Sequence, residues 1–165
     1  MGKLGTAMVN GPEGDVVDWD AVDWRQAGDN VRRLRQRIFT ASRAGDQRKV
    51  RNLQKLMLRS RCNALVSVRR VTEVNAGRKT AGVDGRVVLA GWEKAEMASW
   101  LQRDTAAWKP RPVKRVFIPK GNGKRRGLGI PVIADRALQA LTVNALTSRA
   151  AVRSSGRGCR RLADW

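Results

Sequence analysis

The sequence predicts an α+β fold: a mostly helical N-terminal region, then a small β-hairpin, then a helix. Three observations predict it. Apolar residues recur at three- and four-residue steps through the first half of the chain, the spacing that gathers them on one helix face. The period then drops to two over residues 113–118, ahead of a Gly121-Asn122-Gly123 turn, which is hairpin chemistry. Beyond Pro131, helical spacing resumes at Ala137, Leu138, Leu141 and Leu146. No internal repeat is evident.

Residues 1–18 are glycine-rich and aperiodic and are expected to form a flexible leader. Order is expected from Trp19, where Asp20 and Asp23 suit a helix N-terminus and Trp19 and Trp24 suit packing onto the helices after them. Asp29 is the expected N-cap of the first long helix, with Val31, Leu34, Ile38 and Ala41 along its buried face and Gly45 as its stop. Asp46 is the expected cap of a second helix, in which Val50, Leu53, Leu56 and Met57 share a face. Ala64, Leu65, Val68 and Val71 continue the pattern, in the same helix or in a third after a break near Cys62.

Residues 75–85 read as a turn-rich connector, with Gly77, Gly82 and Gly85 supplying backbone freedom. A further helix is expected over residues 93–107, with Met97, Trp100, Leu101 and Trp108 buried and Pro110 and Pro112 ending it. The alternating run stops at Pro119, the return strand spans residues 126–130, and Asp135 opens the last helix. From Thr147 the sequence is rich in Arg, Ser and Gly without an apolar period, and is expected to be an unstructured tail. The domains so read are 1–18 leader, 19–85 helical region, 86–146 hairpin region and 147–165 tail.

Charge limits the function. Lys and Arg number 34 against 14 Asp and Glu, a formal net charge of +20 over 165 residues. Self-repulsion of that size calls for a polyanionic partner, and nucleic acid is the first candidate. No apolar run approaches the ~20 residues that span a bilayer, and no signal-peptide pattern opens the chain. Histidine is absent and Cys62 and Cys159 make no metal spacing, which excludes a zinc site. A reducing cytoplasm fits.

The strongest constellation lies between residues 111 and 136. Lys120, Lys124, Arg125 and Arg126 surround glycines, and no acid occurs between Asp104 and Asp135. Such a tip admits a phosphate closely and neutralises it. The helices carry a second cationic set: Arg32, Arg33, Arg35, Arg37, Arg48, Lys49, Arg51, Lys55, Arg59 and Arg61, with Arg43 beside them. The excess of arginine favours bidentate phosphate contact with structured RNA. The tryptophans are read as packing residues rather than base-stacking ones, and Asp84 as a turn residue rather than a catalytic one.

Two elements resemble group II intron-type reverse transcriptases: RKTAGVDG at residues 78–85, and VFIPKGNGKRRGLGIP at 116–131 followed by Asp135-Arg136. LRQRI at 34–38, LQKLMLRS at 53–60 and SVRRVT at 67–72 are similar to that family's N-terminal region. The resemblance runs from about Trp19 to Leu146. It implies that the hairpin is the fingers of a right-hand polymerase. Lys120 and Arg126 would then contact the nucleotide triphosphate, with Lys124 and Arg125 beside them. Ile118, Pro119, Ile130 and Pro131 would shape the fingers and the template path. Asp135 and Arg136 are expected to be structural, a helix cap and its partner. The preceding helices would grip intron RNA, with DNA left open as a further partner.

The resemblance stops short of the family's chemistry. Nucleotidyl transfer needs clustered carboxylates for two metal ions, and the sequence has no tyrosine and no Asp-Asp pair. The chain is therefore expected to be a truncated, RNA-binding portion, inactive as a polymerase by itself. It would hold no cofactor of its own, magnesium being expected for the full-length enzyme. The tail is read as a frameshifted or degenerate departure from the family pattern. The alternative from another class is a stand-alone basic RNA-binding or RNA-chaperone protein.

Overall fold

The computed structural model describes residues 18–119, 121 and 123–154, the side chains of 147–154 excepted. The 1–17 leader and the 155–165 end of the tail lie outside the described residues.

Helix α1 runs Trp24–Arg43, and its N-cap is Asp23, whose carboxylate accepts the Gln26 N–H at 2.8 Å. The expected cap, Asp29, sits inside the helix and accepts from Arg32 at 2.8 Å. The reason lies in the apolar stripe, which Trp24 and Ala27 extend one turn earlier, and Gly28 costs too little, about 1 kcal/mol, to stop it. Gly45, at φ +72°, turns the chain out of α1. Asp46 then caps α2 (Gln47–Arg59) through the Lys49 N–H at 2.9 Å. Val50, Leu53 and Met57 are buried as expected, whereas Leu56 is 50% exposed and leaves that face.

The break after α2 is at Ser60, two residues before Cys62. Its extended backbone ends one helix, and its hydroxyl accepts the Asn63 N–H at 3.4 Å to start α3 (Arg61–Arg69). A π-helical turn, Arg70–Val74, and a 3-10 turn, Ala76–Lys79, lead into the connector. Helix α4 spans Gly91–Arg103, two residues earlier than expected, and breaks at Asp104 before a 3-10 turn at Thr105–Ala107. Glu93 reaches back to accept the N–H groups of Leu89 and Ala90 at 3.1 and 3.0 Å. Strands β1 (Lys114–Pro119) and β2 (Arg125–Ile130) form the antiparallel hairpin, and α5 (Ile133–Ser154) closes the fold.

Helix α5 continues past Thr147, where the tail was expected to lose structure. Residues 147–154 contain two alanines and no glycine or proline, so nothing in them breaks a helix already nucleated upstream.

Two apolar clusters hold the body. One joins Trp19, Leu65, Val68, Val88, Met97, Leu101, Ile133 and Leu141, and the other joins Val31, Ile38, Val50, Leu53, Met57 and Ala145. Helix α3 touches α1, α4 and α5, so it is the central element. A polar knot fixes it. Asn63, fully buried, donates to the carbonyls of Met57 (3.0 Å) and Leu141 (3.2 Å) and accepts from Asn144 at 2.8 Å. Among the described residues no helix is long and apolar enough to cross a membrane.

Candidate nucleic-acid interface

The hairpin register is Lys114 with Ile130, Val116 with Leu128, and Ile118 with Arg126 on one face. The other face carries Arg115 with Gly129, Phe117 with Gly127, and Pro119 with Arg125. Because side chains alternate along a strand, the site residues read from the sequence are divided. Ile118, Ile130 and Arg126 share one face, and Pro119 and Arg125 share the other. Lys124 precedes β2 at the turn, Gly123 adopts φ +74°, and Pro131 follows β2. Lys120 and Asn122 lie outside the described residues. Among the described residues no helix packs extensively on either strand. Phe117 is therefore 61% exposed, Ile118 40% and Leu128 38%, leaving apolar surface open on the hairpin.

A loop clamp holds the hairpin's base. Asp135 is buried in the first turn of α5 and accepts from Trp108 Nε1 at 2.7 Å and from the Arg111 N–H at 3.1 Å. Its role is structural, but it ties down the segment before β1 rather than capping the helix. Arg136 does not pair with it. Its guanidinium donates to the carbonyls of Gly77 (3.0 Å) and Thr80 (2.7 Å), while its Nε is buried without a partner. Burial lowers the Arg136 pKa, which the nearby Asp84 charge partly offsets. In the same loop a Cβ on Gly82 would stand 2.7 Å from Val132 Cα, so close approach explains that glycine, whereas Gly85 is needed for φ +66°. The Asp84 carboxylate accepts the Arg86 N–H at 3.2 Å, the turn role expected of it.

The helical cations are exposed, Arg61 only partly so. Four of the ten converge. Arg33 and Arg37, one turn apart on α1, face Arg59 and Arg61, which flank the Ser60 corner, across an open cleft of about 510 Å³. Asn30, Leu34, Leu56, Ser60, Cys62 and Gln102 complete its lining, and no carboxylate contributes. Arg32, Arg35, Arg48, Lys49, Arg51 and Lys55 do not line it. The periodicity that places Leu56 in the α2 stripe gave no hint that it floors the cleft, and Asn30 and Gln102 carried no signal in the sequence.

Two glutamates are occupied away from the cleft. Glu73 accepts from Trp19 Nε1 (2.8 Å), Lys94 (2.9 Å) and Arg69 (3.3 Å). Partial burial alone would raise its pKa, but the bonds from Lys94, Trp19 and Arg69 and the Lys94 charge outweigh that and hold it low. The backbone N–H groups of Ala90 and Leu89 likewise lower the Glu93 pKa. Trp19 is buried and Trp24, Trp100 and Trp108 are half-buried, as packing residues should be, whereas Trp92 is 69% exposed at the start of α4 and packs on no core. Among the described residues no group of three or more His, Cys, Asp or Glu side chains could hold a metal ion.

A family model described as the N-terminal domain of reverse transcriptase matches residues 19–101. The chain is 29% identical over 123 residues to Maturase-like protein 1 of Euglena gracilis, covering 74% of this chain and 27% of that protein. It is 42% identical over 80 residues to Protein YkfC of Escherichia coli (strain K12), covering 46% and 20% respectively. With Maturase-like protein 1 of Euglena longa it shares 27% identity over 115 residues, 70% of this chain and 25% of that protein. The chain spans about a quarter of the length of the curated relatives it matches.

Proposed function

The chain belongs to the family of reverse transcriptase N-terminal domains, of the group II intron reverse transcriptase/maturase kind, and from that premise we propose that it grips structured RNA through the arginine cleft of its helical half. The observation that carries the reading is the convergence of Arg33, Arg37, Arg59 and Arg61 on one cleft without a carboxylate. Guanidinium forks match phosphate oxygens, and four of them around an open groove can follow a folded RNA backbone. Intron RNA is the proposed partner. In this reading the hairpin is the fingers, with Lys120 and Arg126 directed at a nucleotide's phosphates.

Among the described residues no carboxylates gather into a group of three or more that could hold a metal ion, and nucleotidyl transfer by two metal ions needs such a cluster. In this reading the magnesium of the family's reaction is held by carboxylates other than these.

Fluorescence anisotropy with an intron RNA fragment across a salt series tests the proposal. Each phosphate contact steepens the log affinity against log salt slope by about 0.7–0.9. The combined Arg33→Ala, Arg37→Ala, Arg59→Ala and Arg61→Ala variant should therefore flatten it by about 3. Unchanged slope and affinity would overturn the cleft as the grip. Equal binding of intron and ribosomal RNA at physiological salt would mark a general RNA-binding protein instead.

A further inference from the structure

A second cavity, of about 370 Å³, lies where the connector loop and the segment before β1 meet α4 and the start of α5. That volume is within the range of about 300–1,000 Å³ that holds small ligands. The buried and half-buried part of its lining is Met97, Trp100, Trp108 and Ile133, with Ala134 beside them. These indoles are fixed before any ligand arrives. Trp108 Nε1 donates to Asp135 at 2.7 Å, and the Trp100 ring stands at 77° to it with centroids 5.1 Å apart. The exposed members of the lining are all charged: Asp84, Arg86, Glu96 and Arg111. Asp84 already gives one oxygen to the Arg86 N–H at 3.2 Å. Glu96, one turn before Trp100 on α4, holds no hydrogen bond or ion pair among the described residues. Both its oxygens are open to a ligand.

We propose that this cavity is a nucleotide site that takes a guanosine 5′-phosphate unit. The base leaves water for the apolar lining, the Glu96 carboxylate accepts from its N1–H and 2-amino groups, and Arg86 and Arg111 meet the phosphate. An acceptor-only carboxylate needs two donors side by side, and among the common bases only guanine offers them on its pairing edge. Adenine and cytosine set one amino group beside a ring acceptor, and uracil holds its N–H between two carbonyls that a carboxylate repels. A cationic ligand would also suit indoles and carboxylates. The chain's net charge of +20 repels such a ligand, however, and two guanidiniums stand exposed in the same lining. The unit is either a free nucleotide or an unpaired guanosine of a folded RNA. The site goes beyond the cleft reading and shares no residue with the cleft.

The test uses the full chain and two probe pairs. Calorimetry compares guanosine and adenosine 5′-monophosphates, and anisotropy compares two RNA hairpins that differ only in one unpaired residue, guanosine or adenosine. The guanosine member of at least one pair should bind about 5- to 150-fold tighter, the discrimination of one bidentate contact to a base. A preference among the mononucleotides assigns the site to a free nucleotide, and one confined to the hairpins assigns it to RNA. Glu96→Ala, an exposed change to a good helix former, should abolish the preference. Arg86→Ala combined with Arg111→Ala should weaken both members of the pair and keep the preference, because the phosphate is common to them. No preference in either pair, one that survives Glu96→Ala, or affinity that survives the loss of both arginines would overturn the site and leave the cleft reading untouched. Tighter binding of an arginine amide than of guanosine monophosphate would overturn it in favour of a cationic ligand.

Discussion

Asn63→Ala should be among the most damaging single changes in the helical body, and its cost can be worked from the contacts. The wild-type amide makes three hydrogen bonds of 3.2 Å or shorter, to Met57 O, Leu141 O and from Asn144 Nδ2, at 3.0, 3.2 and 2.8 Å, besides a long 3.5 Å one from the Ser67 hydroxyl. At about 1 kcal/mol net each they contribute about 3 kcal/mol. Some of that survives the substitution. Met57 O still accepts the Ser60 N–H at 3.1 Å, and the Asn144 amide keeps the Ser67 hydroxyl at 3.4 Å. The expected loss is therefore about 2–3 kcal/mol. Asn144→Ala, which removes one strong bond and strands Asn63 Oδ1 with a 3.5 Å contact from Ser67, should cost about 1–2 kcal/mol. Both changes delete the same 2.8 Å bond, so the double variant should fall short of the sum by about 1 kcal/mol. Urea unfolding followed by tryptophan fluorescence measures all three. A loss below about 0.5 kcal/mol for Asn63→Ala, or additivity of the pair within that margin, would refute the claim that this knot locks α3 to α5.

Gly82→Ala forces a Cβ to within 2.7 Å of the Val132 backbone, and it should lower the urea midpoint by the equivalent of about 1–3 kcal/mol. Arg136→Lys cannot bridge the Gly77 and Thr80 carbonyls with one ammonium; limited trypsin digestion should then nick the chain faster after Arg78 or Lys79, and an unchanged rate would mean that the fork does not hold that loop. Glu73 has a lowered pKa in the fold, so its contribution is complete above about pH 4.3, the ordinary glutamate value, and is lost as pH falls through the lower folded value. Glu73→Gln should accordingly flatten the acid limb of the stability curve, measured as urea midpoints between neutral and strongly acidic pH, and leave its neutral-to-alkaline shape alone.

The helices were legible because their signals are local: Gly45 and Asp46 mark the α1–α2 turn with a positive φ and a side-chain cap. Where a local signal was weak, the boundary moved. Asp29 resembles Asp23 as a cap, and only the burial of Ala27 decides between them. The hairpin was legible from its alternation and turn, but alternation does not say which face meets what, so Arg125 and Arg126 read as one group although the register separates them. Long-range partners were illegible for a different reason. Asn63 and Asn144 are 81 positions apart, and a polar residue inside an apolar period looks the same whether it meets water or another amide. Arg136 was read beside its neighbour Asp135 for want of any clue that its partners are carbonyls 56 and 59 positions upstream.

The use of the acids explains why so many cations remain available. Asp23, Asp46, Asp84 and Glu93 spend their carboxylates on backbone N–H groups, and Asp135 on an indole and a backbone N–H. Glu73 gathers Arg69 and Lys94 together with Trp19 into one knot. Much of the scarce negative charge is thus committed to turns, caps and a single staple, Asp29 pairing with Arg32 on the surface of α1, and none of it lines the arginine cleft or lies on the hairpin. The fold is held by elements that do not depend on neutralising its surface, so the cleft arginines stay available for an external polyanion. It follows that removing them should leave the folded state as stable or more so at low salt, because their mutual repulsion disappears while no internal acid loses a partner. A large destabilisation on that substitution would show that the cleft arginines support the fold, and the charge would then have to be explained from within the molecule.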